Sequence, residues 1–155
     1  MPQESEELAH GFEQRCRQSG LAVTPQRRAI YATLSQRKDH PTADLIYAQV
    51  KKQHPEMSRA TVYRVLETFA QLGIIRKLPH PGSAVRYDPD TRRHHHLLCL
   101  RCGEITDFNN LAFDDLKIPH PTPEGFRIMS LSVSIQGICS KCQTEEKETT
   151  PGGES

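Results

Sequence analysis

Hydrophobic residues in the first half of the chain recur at the three-to-four-residue spacing of amphipathic helices. Four helices are predicted: Ser5 to Gln18, then segments opening after Thr24, Thr42 and Ser58. A Thr or Ser hydroxyl before the first helical residue can accept hydrogen bonds from the free backbone N–H groups there. The pattern therefore predicts a compact group of short helices, the last ending at Gly73.

The hydrophobic period changes from 3.6 to 2 immediately after the fourth helix. Residues 74–78 and 84–88 alternate as two strands around a turn rich in proline and glycine, which predicts a β-hairpin. Short helices followed by such a hairpin form a winged helix-turn-helix. We therefore predict a DNA-binding domain over residues 1–88, with a hinge at about 86–93.

Charge in this half supports a nucleic-acid partner, although the whole chain has a net charge of only +1. Ten Lys and Arg stand against four acids between Gly20 and His80, which favours binding to a polyanion. The fourth helix would enter the major groove of double-stranded DNA. The predicted DNA contacts are Arg59, Tyr63, Arg64 and Lys77. The alternative for Tyr63 is packing against the third helix.

The second half is patterned as a small sheet. Strands are predicted at residues 94–99, 104–108 and 126–138, with a short helix at 111–116. Such an open sheet exposes an edge, so pairing with a second copy is expected. We predict an α+β chain in which residues 94–142 form a homodimerisation and metal-binding domain and the polar residues 143–155 are disordered.

Four cysteines stand in two Cys-x-x-Cys pairs: Cys99 with Cys102, and Cys139 with Cys142. Two such pairs that meet in space form a closed tetrahedral site for one structural Zn(II) per subunit. Cys16 lies far from them in a helical pattern and is predicted to be an ordinary thiol.

Three consecutive histidines precede the first cysteine pair. In a strand His94 and His96 lie on one face and His95 on the other. His94 and His96 can therefore chelate one metal ion at a second site, distinct from the cysteines.

No apolar run in the sequence approaches membrane-spanning length, and the acidic start of the sequence leads us to expect no secretory leader. A cytoplasmic protein without a membrane partner is expected.

Four motifs in order resemble the ferric uptake regulator superfamily. They are residues 21–27 (LAVTPQR), 40–44 (HPTAD), 58–66 (SRATVYRVL), and the histidine triplet before the first Cys-x-x-Cys. The resemblance covers about residues 8–142. It implies a homodimeric, metal-dependent transcription factor, and not an enzyme, that binds an inverted-repeat DNA operator. Its only small ligands would be metal ions and, in a peroxide sensor, hydrogen peroxide.

The resemblance also implies a regulatory site for one Fe(II) or Mn(II) per subunit. The matching positions are His40, Asp88, His94, His96 and Asp107. Three imidazoles and two carboxylates suit these ions and would also accept Co(II) or Zn(II). Because the positions fall in both predicted domains, one ion would fix the orientation of the domains and couple metal affinity to DNA affinity.

The identity of the signal rests on residue types within this set. Aspartate at the Asp107 position resembles the peroxide-sensing repressors, in which an iron-bound histidine is oxidised. His40 and His94 would be the oxidised residues. Tyr63-Arg64 instead resembles the iron-uptake branch. We therefore rank a peroxide sensor first, an iron-responsive regulator second and a zinc-uptake regulator third.

Three further hypotheses remain. A second regulatory site of the family uses a histidine where this chain has Leu131, so that His95 and Asp114 would be its remnants. A zinc-stabilised interaction module without sensing is an alternative to the regulator. A hydrolytic centre of His94, His96 and Asp107 is disfavoured, because no insertion supplies a substrate pocket.

Overall fold

The computed structural model describes residues 2–81, 84–117 and 124–149. The chain divides into two compact units, Met1–Thr91 and Arg92–Ser155. The division falls inside the hinge predicted at residues 86–93. In the described part of the chain, no helix has the length and apolar character needed to cross a membrane.

The first unit begins with the four predicted helices. They are α1 (Pro2–Gln18), α2 (Pro25–Ser35), α3 (Ala43–Gln53) and α4 (Arg59–Gln71). The predicted caps are confirmed: Thr24 and Thr42 each accept a backbone N–H at 3.3 Å, and Ser58 accepts one at 3.1 Å. Each hydroxyl replaces the missing intrahelical acceptor of its first turn.

An aromatic cluster joins three of these helices. Phe12 of α1 stacks on Tyr31 of α2 at 4.3 Å between ring centroids, and Phe69 of α4 meets Phe12 edge-on at 5.4 Å. Arg15 donates to the Tyr31 hydroxyl at 2.5 Å and to the carbonyl of Ile74 at 2.9 Å. The core therefore fixes α4 and the start of the following hairpin to α1.

The hairpin consists of β1 (Arg76–Leu78) and β2 (Arg86–Asp88), paired antiparallel from Arg76 opposite Asp88 to Leu78 opposite Arg86. Both strands are shorter than predicted. Ile74 and Ile75 are buried in the helical core instead of pairing in the ladder, and the predicted turn includes residues 82–83, which lie outside the described part. Four helices followed by this hairpin confirm the predicted winged helix.

Within its described residues, the second unit has a three-stranded sheet and two helices. Its elements are β3 (His95–Cys99), β4 (Ile105–Phe108), α5 (Leu111–Asp114), β5 (Ser134–Gly137) and α6 (Ser140–Thr149). The strand order is β4-β3-β5, with β4 antiparallel and β5 parallel to the central β3. Together the two units confirm the α+β class.

The third predicted strand is wrong over most of its length, because only Ser134–Gly137 of residues 126–138 pairs as a strand. The residue before this strand makes two different contacts with β3: the Val133 N–H donates to the His95 ring at 3.1 Å, and the Val133 carbonyl accepts the His96 N–H at 3.0 Å. Phe126 and Met129 are exposed, so the alternating pattern before this point does not reflect burial.

The predicted disorder of residues 143–155 is also wrong as far as Thr149. The second Cys-x-x-Cys turn continues into α6, where the Gln143 N–H donates to the Cys139 carbonyl at 3.0 Å. Glu and Lys after this turn are good helix formers, which the polarity argument overlooked. Residues 150–155 lie outside the described part of the chain.

Truncating the central aromatic residue of the first unit tests this account of the core. Phe69→Ala should lower the free energy of unfolding by about 3–5 kcal/mol, because it removes a fully buried ring that packs edge-on against Phe12 and Tyr31. Leu72→Ala is the control, since Leu72 is 40% exposed on the next helical turn. Urea titrations followed by circular dichroism measure both, and equal losses would contradict the placement of Phe69.

Candidate functional site

The four predicted zinc ligands lie together at the ends of β3 and β5. The Sγ atoms of Cys99 and Cys142 are 3.9 Å apart, and those of Cys102 and Cys139 are 3.8 Å apart. A tetrahedral Zn(II) with bonds of about 2.3 Å requires sulfurs about 3.8 Å apart. A disulfide would require about 2 Å. The geometry therefore fits a zinc ion held by four thiolates and contains no disulfide among these residues.

The surroundings of the cysteine cluster shift the pKa values of Cys99 and Cys142 in opposite directions. Backbone N–H groups of Cys102 and Cys139 lower the pKa of Cys99 to about 6. Burial, together with the neighbouring thiols, raises the pKa of Cys142 to about 12. Four neighbouring thiols cannot all lose their protons unless a cation offsets the repulsion between the resulting thiolates. The cluster is therefore suited to a divalent ion that displaces the remaining protons.

Two histidines and an aspartate form a second cluster within the second unit. His96 on β3 and Asp107 on β4 are direct cross-strand partners. The Nε2 atoms of His94 and His96 are 2.9 Å apart, and the Asp107 Oδ1 lies 3.3 and 3.4 Å from them. Adjacent ligands of an ion with bonds of about 2.1 Å are separated by roughly 3.0–3.5 Å. The three atoms thus match one triangular face of a coordination shell.

A backbone contact sets the proton position on His94. Its Nδ1 lies 2.8 Å from the carbonyl oxygen of Arg92. Only an N–H can bond to a carbonyl, so Nδ1 carries the proton and the Nε2 of the neutral ring holds a lone pair toward the cluster. This arrangement, in which the outer nitrogen donates to a carbonyl, is the one that orients metal-binding histidines.

His40 and Asp88 form the corresponding pair within the first unit. His40 adopts a left-handed backbone conformation, with φ of 48°, immediately before Pro41. The Tyr87 N–H donates to the Pro41 carbonyl at 3.0 Å, which ties this loop to β2. The His40 Nε2 and the Asp88 Oδ2 are 3.9 Å apart, and the other Asp88 oxygen accepts the Asp90 N–H at 2.8 Å. A strained non-glycine residue held this way often marks a functional site.

His95 lies on the opposite face of β3 and has a different role. Its Nε2 lies 3.0 Å from Asp114, while its Nδ1 accepts the Val133 N–H at 3.1 Å. The ring is fully buried between Phe108 and Phe113. Both nitrogens are thus used by protein groups, so His95 acts as a hydrogen-bonded core residue that links β3, α5 and the segment before β5.

The four predicted DNA contacts are all exposed in the first unit, but three of them already contact acids. Arg59 is ion-paired with Asp44, and the Tyr63 hydroxyl donates to the same carboxylate at 2.8 Å. Lys77 donates to Glu67 at 2.5 Å, and Arg64 is exposed. The alternative that Tyr63 contacts the third helix is therefore correct in part, because Asp44 belongs to α3.

The sequence pattern does not single out Asp44 as the partner of Arg59 and Tyr63. The chain position does hold a clue: Asp44 is two residues beyond the Thr42 cap, at a helix end that favours carboxylates. The prediction for Cys16 holds, since its side chain is fully buried in the helical core.

Comparison with known proteins places this chain in a family. The ferric uptake regulator family matches residues 18–136. The peroxide-responsive repressor PerR of Staphylococcus epidermidis is 34% identical over 148 residues, or 94% of this chain and 99% of that protein.

Two solved structures share the fold. The Campylobacter jejuni peroxide stress regulator is 26% identical, covers 84% of this chain and 95% of its own, and superposes with a TM-score of 0.63. The Francisella tularensis ferric uptake regulator with iron is 27% identical, covers 80% of this chain and 96% of its own, and has a TM-score of 0.62. The match over most of the chain shows that this protein belongs to the ferric uptake regulator family.

Proposed function

We propose that this protein is a homodimeric, metal-dependent transcriptional repressor that loses its operator when hydrogen peroxide oxidises the protein. The observation that carries the proposal is the cluster of His94, His96 and Asp107 in a member of this family. Two imidazoles and one carboxylate on one face are the ligand set of oxygen-activating Fe(II) sites. The relatives named for peroxide response support the same signal.

Double-stranded operator DNA is the partner that the first unit would bind. Its winged helix presents Arg59, Tyr63 and Arg64 along exposed positions of α4, and the hairpin carries Lys77. Side chains of this kind reach phosphates and base edges when such a helix lies in the major groove. An inverted repeat would accommodate the two α4 helices of a dimer.

A second copy of the chain is the partner proposed for the second unit. Leu97 and Ile135 are register neighbours on β3 and β5, and both are about 40% exposed. Leu111, Phe126 and Met129 are more exposed still. Apolar side chains at this density in so small a unit favour burial in an interface. We propose that the sheet and its flanking segments form the dimer contact.

We propose that His40 and Asp88 complete the coordination of the ion held by His94, His96 and Asp107. The two first-unit side chains are already oriented toward each other. One Fe(II) or Mn(II) per subunit would then link the DNA-binding unit to the dimerisation unit. Metal binding and operator binding would strengthen each other by the same factor.

The chemistry of the response belongs to the ligand histidines. When bound, Fe(II) would activate hydrogen peroxide next to these rings, and the two electrons that reduce the peroxide to water would come, overall, from the oxidised ring. Overall, one histidine and one hydrogen peroxide yield 2-oxo-histidine and water. His94 and His40 are the proposed targets. The added oxygen would change the ring that must coordinate, so the linkage between the units would be lost.

An iron-responsive regulator is the second candidate, supported by the Tyr63-Arg64 pair on α4. The same five residues would then measure iron concentration by reversible binding, without oxidation. The two candidates differ in one property, which is whether peroxide leaves a covalent mark on the protein.

Removing one sulfur tests the structural zinc site. Cys99→Ala should lose the bound zinc and unfold the second unit, because a closed four-ligand site contributes directly to folding. Cys16→Ala, the control, removes a buried thiol outside the cluster and should retain one zinc per subunit. Elemental analysis and sedimentation velocity measure both, and a Cys99→Ala dimer with full zinc would contradict the assignment.

Removing one imidazole tests the regulatory site. His94→Ala should weaken Mn(II) binding by at least about 100-fold, with a matching loss of Mn(II)-dependent DNA binding. His54→Ala is the control: its ring pairs with Glu56 just beyond the end of α3, outside both clusters, and the variant should bind Mn(II) normally. Mn(II) titration followed by electron paramagnetic resonance gives the affinities. Unchanged Mn(II) affinity in the His94 variant would overturn the site.

Peroxide treatment separates the two candidate signals. The Fe(II)-loaded dimer should lose DNA binding and gain one oxygen atom on a peptide holding His94 or His40, whereas the Mn(II)-loaded dimer should keep both its mass and its binding. Peptide mass spectrometry beside a mobility-shift assay provides the measurement. If iron-loaded protein keeps its mass and releases DNA only when a chelator is added, the iron-responsive regulator replaces the peroxide sensor.

A further inference from the structure

One exposed carboxylate contacts two of the side chains proposed to reach DNA. Asp44, in the first turn of α3, forms an ion pair with Arg59 and accepts the Tyr63 hydroxyl at 2.8 Å on the same oxygen. The Arg59 guanidinium also lies 5.7 Å from the centre of the Tyr63 ring. The hydrogen bond from the Tyr63 hydroxyl lowers the pKa of Asp44 most, and the hydrogen bond from Arg59 lowers it further. The carboxyl is therefore ionised at neutral pH.

The start of α4 is a favourable place for an anion. Arg59 is the first residue of this helix, and the first turn contains no acid. The positive end of the helix and the guanidinium therefore reinforce each other. Within the described part of the first unit, the side chain of Asp44 supplies the opposite charge. It is itself stabilised at the start of α3.

A DNA phosphate offers the same chemistry as this carboxylate. Both present anionic oxygens that accept from arginine and from a tyrosine hydroxyl. The side chains of Asp44 and Arg59 are 52% and 60% exposed, so solvent and DNA can reach the pair. An exposed ion pair of this kind is weak enough to exchange one partner for another.

We propose that Asp44 competes with DNA phosphate for Arg59 and Tyr63, and so limits binding to DNA outside the operator. The inference rests on the proposed DNA-binding function. Phosphate contacts supply nearly all of the affinity for arbitrary sequences, whereas an operator adds base contacts. A competitor for a phosphate contact therefore takes a larger share of non-specific binding. In this role Asp44 determines specificity without contacting DNA.

Asp44→Asn tests the competition, because it removes the charge and keeps a side chain of the same shape. The matched control is Glu13→Gln, which likewise removes one charge and one arginine partner, in this case Arg28, from a pair that joins α1 and α2. Full-length zinc- and Mn(II)-loaded protein is titrated into a labelled duplex of arbitrary sequence at several salt concentrations. Fluorescence anisotropy gives each affinity, and thermal unfolding confirms that both variants are folded.

The Asn variant should bind arbitrary DNA about two- to fivefold more tightly for each bound subunit. Its plot of log affinity against log salt should be steeper by about 0.9 per subunit, since each Arg59 then neutralises one more phosphate. In an Arg59→Gln background the same substitution should lose most of this gain. Glu13→Gln should change the salt slope by much less.

The contrary results are distinct. Equal shifts in Asp44→Asn and Glu13→Gln would overturn the inference, because net charge alone would explain them. Weaker binding by Asp44→Asn would overturn it as well, since Asp44 would then position its neighbours for DNA. Both results leave the proposed function intact. Failure of the folded, metal-loaded wild-type protein to bind any DNA would instead overturn the proposed function and this inference with it.

Discussion

Side chains alternate between the two faces of the central strand β3, and this alternation separates the chemistries of the second unit. His96 turns toward Asp107 and the metal-binding triangle. His95 turns the other way, into the aromatic core and onto Asp114. The strand then ends at Cys99, which enters the sulfur cluster. A shift of register by one residue would exchange a metal ligand for a core residue, so the pairing of β3 with both neighbours underlies both metal sites.

The sulfur cluster and the imidazole cluster differ in what they permit. Four sulfurs at tetrahedral spacing leave no open position, so this site suits a fixed structural role. The triangle of His94, His96 and Asp107 covers one face of an ion and leaves room for more ligands. His40, in a loop tied to β2, and Asp88, the last residue of β2, are the further ligands proposed above. A metal-dependent regulator needs both kinds of site: a closed one with a fixed structural role and an open one that can bind and release its ion.

Much of this arrangement could be predicted from the sequence, because the relevant signals are local. The hydroxyl caps at Thr24, Thr42 and Ser58 mark helix starts by a contact within one turn. The spacing of the cysteine pairs and of His94 with His96 likewise depends on local backbone geometry.

The sequence-based predictions that fail depend either on contacts between distant residues or on a choice between two local preferences. The third strand begins only at Ser134, and the Val133 N–H before it donates to the ring of His95, nearly forty residues earlier, a contact that no periodicity reveals. Asp44 was overlooked for the same reason, as its partners lie on the next helix. The polar tail, by contrast, was assigned to disorder although its Glu and Lys residues also favour helix.

The central claim is that one ion is held by residues from both units. Pulsed electron paramagnetic resonance on the Mn(II)-loaded dimer counts the histidine nitrogens bound to the ion. The account predicts three nitrogens in the wild-type protein and two in His40→Ala, with His94 and His96 still bound. Two nitrogens in the wild-type protein, unchanged in His40→Ala, would show that the first unit contributes no imidazole and would contradict the account.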